Sequence, residues 1–279
     1  GNDLDKQLTE AGVLARRLPF QVDNTLRRAI NSGDVMFIDQ HLSETVEQMR
    51  NLQLKKPDVA VIEAVAITED GGIIPTTSVG NSASFAIFAE KVIVEINTNL
   101  SPAFEGLHDI YIPTYRPTRQ PIPLTQVDER IGTHAINIDP AKIVGIVFNS
   151  ELHDSPSTVT LPDDETQGIA NHLIAFFENE VAEKRLPANL GPLQAGIGSI
   201  ANAVLTGLKD SNFEDLVMYS EVLQDCTFEL IDAGKMKFAS GSSITLSAKY
   251  GEKVFNNLEQ YKDKLVLRPQ EISNHPELV

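Results

Sequence analysis

The sequence has a single cysteine, Cys226, and no tryptophan among its 279 residues. One cysteine excludes an internal disulfide and a cysteine-rich metal site, and it is the usage that a reducing cytoplasm tolerates. No apolar run approaches the roughly 18–20 residues that a membrane-spanning helix needs. The six histidines show none of the short spacings typical of zinc ligands. We therefore expect a cytoplasmic protein with no disulfide, no membrane span and no bound metal.

Basic residues are also scarce. Lysine and arginine number 23 against 39 aspartates and glutamates, which leaves a formal net charge of −16. Such a surface repels phosphate backbones, so we expect no nucleic-acid partner. The apolar share of 42% is sufficient for a substantial core, in one large domain or two medium ones.

Apolar strand patterns alternate with amphipathic helical patterns along the whole chain. Strands are predicted at 58–67, 91–96, 143–148, 216–219 and 265–267, with 58–67 buried. Helices are predicted at 3–17, after Asp23 or Asn24, after Ser82 as the N-cap, after Asp163 or Asp164, and at 252–261. This succession predicts an α/β fold with mainly parallel sheets. A polar, proline-containing stretch near 151–163 predicts a boundary between two domains, 1–152 and 153–279.

A glycine-rich turn precedes one of the predicted helices. Gly196 and Gly198 are separated by Ile197 and followed by Ser199 and Ile200. Glycines at the start of a helix leave backbone N–H groups free for an anion or a developing oxyanion. The spacing also fits a dinucleotide-binding turn, and tight packing of helix on strand would need the same glycines. The residues alone leave these three interpretations open.

Polar side chains follow two of the predicted strands. Glu221 comes two residues after the end of strand 216–219, and Asn274 lies shortly after strand 265–267. Open α/β sheets bind ligands at the carboxyl ends of their strands, so Glu221 is a candidate nucleophile or base. Solvation of an ordinary strand-end glutamate is the alternative. Asn274 could orient a carboxylate, or it could belong to a turn.

Several longer stretches carry a resemblance to a known family. They are Asp39-Gln-His41-Leu42, Ile67-Thr-Glu-Asp-Gly-Gly-Ile-Ile-Pro-Thr-Thr-Ser-Val-Gly80-Asn, Glu105-Gly-Leu-His108-Asp-Ile, Pro192-Leu-Gln-Ala-Gly-Ile-Gly-Ser-Ile-Ala-Asn-Ala-Val-Leu205, Tyr219-Ser-Glu-Val-Leu-Gln-Asp225 and Arg268-Pro-Gln-Glu-Ile-Ser-Asn274. Together they span nearly the whole chain and resemble the acetyl-CoA hydrolase/transferase family, and within it the succinyl-CoA:acetate CoA-transferases.

The resemblance implies two α/β domains with the active site between them. It places the family's catalytic glutamate at Glu221 and its neighbouring asparagine at Asn274. It places the loop that binds coenzyme A and the acyl group at Gly196, Ile197, Gly198, Ser199 and Ile200, with the N–H of Ile197 polarising the thioester carbonyl. Coenzyme A is then a substrate, and no permanently bound cofactor is expected.

The implied reaction transfers coenzyme A between an acyl-CoA and a short carboxylate such as acetate or succinate, through a glutamyl-CoA thioester. Hydrolysis of acetyl-CoA by the same glutamate is the near alternative. An NAD-dependent oxidoreductase and a non-catalytic acyl-CoA-binding module are the alternatives from other classes. A homodimer is the family-level expectation.

The sequence departs from the family in its extent. The resemblance implies chains that extend further at both ends, with a glycine-rich stretch downstream of Asn274 that completes the oxyanion site and the coenzyme A pocket. We therefore expect the 279 residues to hold the nucleophile without a whole catalytic centre, and to be inactive alone.

Overall fold

The computed structural model describes residues 2–18, 21–151 and 163–279. Its α-helices are α1 (Asn2–Glu10), α2 (Asn24–Ser32), α3 (Glu44–Arg50), α4 (Ser82–Phe88), α5 (Asp164–Ala182), α6 (Ser199–Asp210), α7 (Asp225–Asp232), α8 (Ala248–Asn256) and α9 (Gln270–Ser273). Its strands are β1 (Arg16–Arg17), β2 (Met36–Phe37), β3 (Val59–Ile67), β4 (Ile73–Pro75), β5 (Lys91–Asn97), β6 (Ile143–Asn149), β7 (Pro192–Leu193), β8 (Leu216–Tyr219), β9 (Val222–Leu223), β10 (Met236–Gly241), β11 (Ser243–Ile244) and β12 (Leu265–Leu267). The predicted α/β fold with mainly parallel sheets is confirmed.

The first four-stranded sheet has the strand order β4-β3-β5-β6. Strands β3, β5 and β6 run parallel, and β4 pairs with β3 antiparallel. Along β3, Ala60 and Ile62 are buried, whereas Val59 is 47% and Val61 is 64% exposed. The prediction that 58–67 is a buried strand is therefore right for one face of β3 only, because successive side chains of a strand point to opposite faces of the sheet.

The second four-stranded sheet has the order β12-β10-β8-β7, and all its strands are parallel. Their carboxyl ends therefore lie at one edge of the sheet. The glycine turn follows β7, Glu221 follows β8, Ser242 follows β10, and α9 follows β12 after two residues. This edge gathers segments that are far apart in the sequence.

Capping residues set several helix boundaries as predicted. Asp23 accepts hydrogen bonds from the N–H groups of Thr25 and Leu26 at 2.8 Å, and α2 ends at Gly33, which has a φ of 86°. A side-chain oxygen can satisfy the unpaired N–H groups of a first turn, and glycine adopts a left-handed φ without strain. Asp163 caps α5 in the same way.

Three predicted helix boundaries are wrong. The helix expected at 3–17 ends at Glu10, because the chain reverses at Gly12 (φ 67°) and enters β1. The N-cap of α4 is Asn81, one residue before Ser82. The helix expected at 252–261 is displaced: α8 begins at Ala248, and a separate 3₁₀ turn spans Leu258–Gln260.

The sequence patterns predicted neither strand β10 of the second sheet nor helix α7. Strand β10 lies between β8 and β12, and α7 packs on β10. In β10, the apolar residues are interrupted by Lys237, Ser240 and Gly241, so no run of apolar residues marks it. Ser240 is nevertheless fully buried, and its hydroxyl accepts a hydrogen bond from the guanidinium of Arg268 at 2.9 Å.

Backbone hydrogen bonds connect residues 2–151 with residues 163–279. Leu267 donates to the carbonyl of Leu107, and Asp109 donates to the carbonyl of Leu267, both at 2.9 Å. Val79 donates to the carbonyl of Ser242 at 3.0 Å. These contacts extend the edge of the second sheet with segments from the earlier part of the chain. The predicted domain boundary between 152 and 153 lies outside the described residues.

Candidate active site

Glu221 lies at the carboxyl end of β8, and its backbone is fixed by the end of β10. The carbonyl oxygen of Glu221 accepts hydrogen bonds from the N–H groups of Ser242 (2.6 Å) and Ser243 (3.1 Å). Gly241 allows this approach, because an added Cβ there would come within 3.2 Å of the Glu221 carbonyl and 2.8 Å of Leu223. The side chain of Glu221 therefore projects from a backbone held in a defined position.

Two amide side chains hold the carboxylate of Glu221. The Nε2 of Gln270 donates to Oε1 at 2.7 Å, and the Nδ2 of Asn274 donates to Oε2 at 3.0 Å. All three residues are partly buried. Among the described residues, no lysine or arginine forms an ion pair with Glu221. The structure thus brings Asn274 to Glu221, and it adds Gln270, which the sequence did not single out.

The short helix α9 carries Gln270 and is anchored on several sides. The guanidinium of Arg50, in α3, pairs with both carboxylate oxygens of Glu271, and both side chains are almost fully buried. The hydroxyl of Tyr219 donates to the carbonyl of Ile272 at 2.6 Å. Burial raises the pKa of Tyr219 to about 12, so this hydroxyl remains a donor. The two amides are consequently presented by an immobilised turn of helix.

The glycine turn begins beside the residue that precedes Glu221. The hydroxyl of Ser220 donates to the carbonyl of Ala195 at 3.1 Å, and the side-chain amide of Gln224 donates to the carbonyl of Gly196 at 3.3 Å. Gly198 is the N-cap of α6 with φ 144° and ψ 171°, and no side chain in the described part of the chain caps the helix there. The first N–H groups of α6 are therefore available to a ligand.

A depression of about 540 Å³ lies against the glycine turn. Its lining contains all five predicted loop residues, Gly196, Ile197, Gly198, Ser199 and Ile200. The remaining walls are mostly apolar side chains of α5 and α6, among them Leu173, Phe177, Val204, Leu205 and Leu208. Glu221 is not among the described residues that line this depression.

Sequence reasoning missed Gln270 because α9 has only four residues and shows no periodic pattern. A signal was present, since Gln270 and Asn274 are four residues apart, which places both side chains on one face of a helical turn. The sequence also did not indicate that the turn 76–81 contacts α9 and β11. Gly80 accepts a hydrogen bond from the N–H of Gln270 at 2.8 Å, and Thr77 accepts one from Ile244 at 2.8 Å.

The described ranges contain no group of three or more histidine, cysteine, aspartate or glutamate side chains placed to hold a metal ion. In the same ranges, no helix has both the length and the apolar character needed to cross a membrane.

Comparison with curated proteins identifies close relatives. The chain is 45% identical over 285 residues to the acetyl-CoA hydrolase of Schizosaccharomyces pombe, covering 100% of this chain and 54% of that protein. It is 43% identical over 278 residues to the succinyl-CoA:acetate CoA-transferase of Clostridium kluyveri, covering 100% of this chain and 52% of that protein. The chain therefore spans about half the length of the curated relatives it matches.

Comparison with solved structures supports the fold. A 4-hydroxybutyrate CoA-transferase from Porphyromonas gingivalis superposes with a TM-score of 0.59 at 18% identity, covering 99% of this chain and 62% of that one. The profile of the acetyl-CoA hydrolase/transferase N-terminal domain matches residues 1–148. This match covers more than half of the chain, so the chain belongs to the acetyl-CoA hydrolase/transferase family.

Proposed function

We propose that the complete protein is a CoA-transferase that uses Glu221 as its nucleophile and moves coenzyme A between an acyl-CoA and a short carboxylate such as acetate. The observation that carries the proposal is the carboxylate of Glu221, held by two neutral amides at a strand end, next to a glycine turn with free N–H groups. The names of the relatives, which include hydrolases and a CoA-transferase, support the same chemistry.

In the first step, one oxygen of the Glu221 carboxylate attacks the carbonyl carbon of the acyl-CoA thioester. The carbon–sulfur bond breaks, coenzyme A leaves as a thiolate, and a mixed anhydride joins the acyl group to Glu221. The negative charge that develops on the acyl oxygen needs N–H donors. The glycine turn, with Ile197 and the start of α6, is the candidate source of these donors, each worth about 3–4 kcal/mol in such sites.

In the second step, the thiolate attacks the glutamyl carbon of the anhydride. The bond from this carbon to the bridging oxygen breaks, so the first carboxylate leaves with an oxygen that came from Glu221, and a glutamyl-CoA thioester remains. An incoming carboxylate then reverses both steps and leaves as the new acyl-CoA. Each bond that forms in these steps is matched by one that breaks, and no electrons are transferred. Coenzyme A takes part as a substrate.

Hydrolysis is the second candidate, since the relatives with this name are as similar as the transferase. If water attacks the glutamyl-CoA thioester, the products are coenzyme A and the restored Glu221 carboxylate. The two outcomes diverge at the glutamyl-CoA thioester, which is attacked by a carboxylate in transfer and by water in hydrolysis. The oxidoreductase interpretation of the glycines receives no support from these relatives.

The test is covalent trapping in the complete protein. Incubation with acetyl-CoA, borohydride reduction and peptide mass analysis are expected to show a reduced side chain at position 221. The variant Glu221→Gln should give no trapped product and no turnover, whereas the matched variant Glu229→Gln on α7 should behave as the parent. With acetyl-CoA as the donor, formation of succinyl-CoA that depends on added succinate indicates transfer, and release of free coenzyme A without an added carboxylate indicates hydrolysis. Absence of trapping at Glu221 in the parent, or full activity of Glu221→Gln, contradicts the proposal.

A further inference from the structure

Gln270 and Asn274 divide the carboxylate of Glu221 between them. Each amide donates to a different oxygen, Gln270 to Oε1 and Asn274 to Oε2. Gln270 is the first residue of α9 and Asn274 directly follows its last residue, so one helical turn separates them. The arrangement therefore distinguishes the two oxygens by giving each its own donor.

The position of Gln270 is fixed by its neighbours. Its backbone N–H donates to the carbonyl of Gly80 at 2.8 Å, and the next residue, Glu271, is paired with Arg50 in the interior. With the backbone fixed, only the side-chain torsions of Gln270 remain to be ordered when its amide binds a partner. The hydrogen bond to Oε1 is thus prepared before any substrate arrives.

The reaction proposed above gives the two carboxylate oxygens different fates. One attacks the acyl-CoA, becomes the bridging oxygen of the anhydride and departs with the first carboxylate. The other remains as the glutamyl carbonyl oxygen and carries negative charge each time the glutamyl carbon is attacked. Both positions therefore need an N–H donor, at the bridging position for the departing and entering carboxylates and at the carbonyl position for the oxyanion.

We propose that Gln270 is a further catalytic residue, which donates from Nε2 to whichever oxygen occupies one of the two reacting positions on the carboxyl group of Glu221. The inference rests on the proposed function, because it assigns Gln270 a role only if Glu221 forms the covalent intermediates. Asn274 donates to Oε2. If Gln270 were removed, no side chain of the described residues would donate to the Oε1 position.

The first test is the variant Gln270→Met in the complete protein, which removes the donor and keeps a side chain of similar length. We expect kcat to fall about 100-fold, the typical effect of losing one such donor, with KM for acetyl-CoA changed by less than about threefold. The matched change Gln260→Met, on the exposed 3₁₀ turn, should leave kcat unchanged. A kcat for Gln270→Met within about threefold of the parent would overturn the proposal.

The second test does not depend on how well the methionine variant folds. The variant Gln270→Glu keeps the shape of the side chain, and it can donate to Glu221 only when the introduced carboxyl is protonated, since two neighbouring carboxyl groups can share a proton. The activity of this variant relative to the parent should therefore rise as the pH is lowered from 8 to about 5.5. A ratio that is flat with pH speaks against a donor role.

The trapping experiment separates the two levels of the proposal. If the parent gives no adduct at Glu221, the proposed function itself fails. If the parent gives the adduct and both Gln270 variants form and consume it at the parent's rate, the function stands and only the role of Gln270 is refuted.

Discussion

At the scale of single residues, the carboxylate of Glu221 is bound by two neutral amide donors and not by a cationic side chain of the described residues. A cation bound to the carboxylate would stabilise its negative charge most in the resting state and oppose the attack. Amide N–H groups bind the ionised carboxylate more weakly and can continue to donate as the charge moves to the anhydride or oxyanion. The pair Gln270 and Asn274 thus suits the role proposed for this carboxylate.

The buried side chain of His108 predicts how the unfolding free energy depends on pH. His108 is 1% exposed, and its Nε2 bonds with the carbonyl of Thr76 at 2.9 Å, while Nδ1 has no hydrogen-bond partner among the described residues. Burial is the main reason that the pKa of His108 is lowered from 6.5 to about 4, and the nearby charge of Arg130 makes a smaller contribution in the same direction. The folded state therefore holds His108 neutral in a pH range where the unfolded chain is protonated.

Because the pKa is lower in the folded state, the contribution of His108 to stability is complete above pH 6.5 and is lost as the pH falls from 6.5 towards 4. Between pH 6.5 and 5 the parent should lose about 2 kcal/mol more of its unfolding free energy than the variant His108→Gln, as measured by urea denaturation. The control His172→Gln removes an exposed histidine of α5 and should follow the parent. Parallel curves for His108→Gln and the parent would contradict the assignment.

At the scale of elements, the site is built from strand ends and short turns. The sequence predicted the strand-end position of Glu221 and the turn at 196–200, because long apolar strands and glycine spacings are local signals. It did not predict α9 or β10, since a helix of four residues has no period and Ser240 is buried through a hydrogen bond to Arg268 rather than by being apolar. That bond joins residues far apart in the chain.

The glycine turn provides the prediction at this scale. Gly198 has φ 144° and ψ 171°, a conformation that is essentially restricted to glycine. We expect Gly198→Ala to reduce the unfolding free energy by about 1–3 kcal/mol. Gly196 is the matched control, because its φ is not in the left-handed region and an added Cβ would have no atom within 4 Å. Equal losses in urea unfolding for Gly196→Ala and Gly198→Ala would show that the turn does not require this conformation.

At the scale of the whole molecule, the carboxyl edge of the second sheet depends on segments from the earlier part of the chain. The guanidinium of Arg268 is fully buried, pairs with Asp109 and donates to the carbonyls of Val127 and Glu129. The sequence patterns did not indicate that residues 107–109 and 127–129 lie beside β12. Local patterns contain no information about which distant segments meet, because that depends on long-range packing.

The buried pair of Arg50 and Glu271 provides the prediction for the whole molecule. It connects α3 with α9, and both side chains are at most 2% exposed. Removing one partner leaves a buried charge uncompensated, so Arg50→Met should lower the unfolding free energy by about 3–5 kcal/mol. The double variant Arg50→Met/Glu271→Met removes both charges and keeps the volume, and it should recover most of this loss.

Urea unfolding of the two single variants and the double variant measures the coupling between Arg50 and Glu271. Losses in the double variant that equal the sum of the two single losses would show that the pair does not act as a unit. Activity of the complete protein adds a second reading, because the double variant is stable yet lacks the bidentate contact that orients α9. If this contact also positions Gln270 and Asn274, the double variant should lose kcat while its urea midpoint stays near that of the parent. A loss of kcat without a loss of stability would show that the contact between α3 and α9 positions the amides that bind the Glu221 carboxylate.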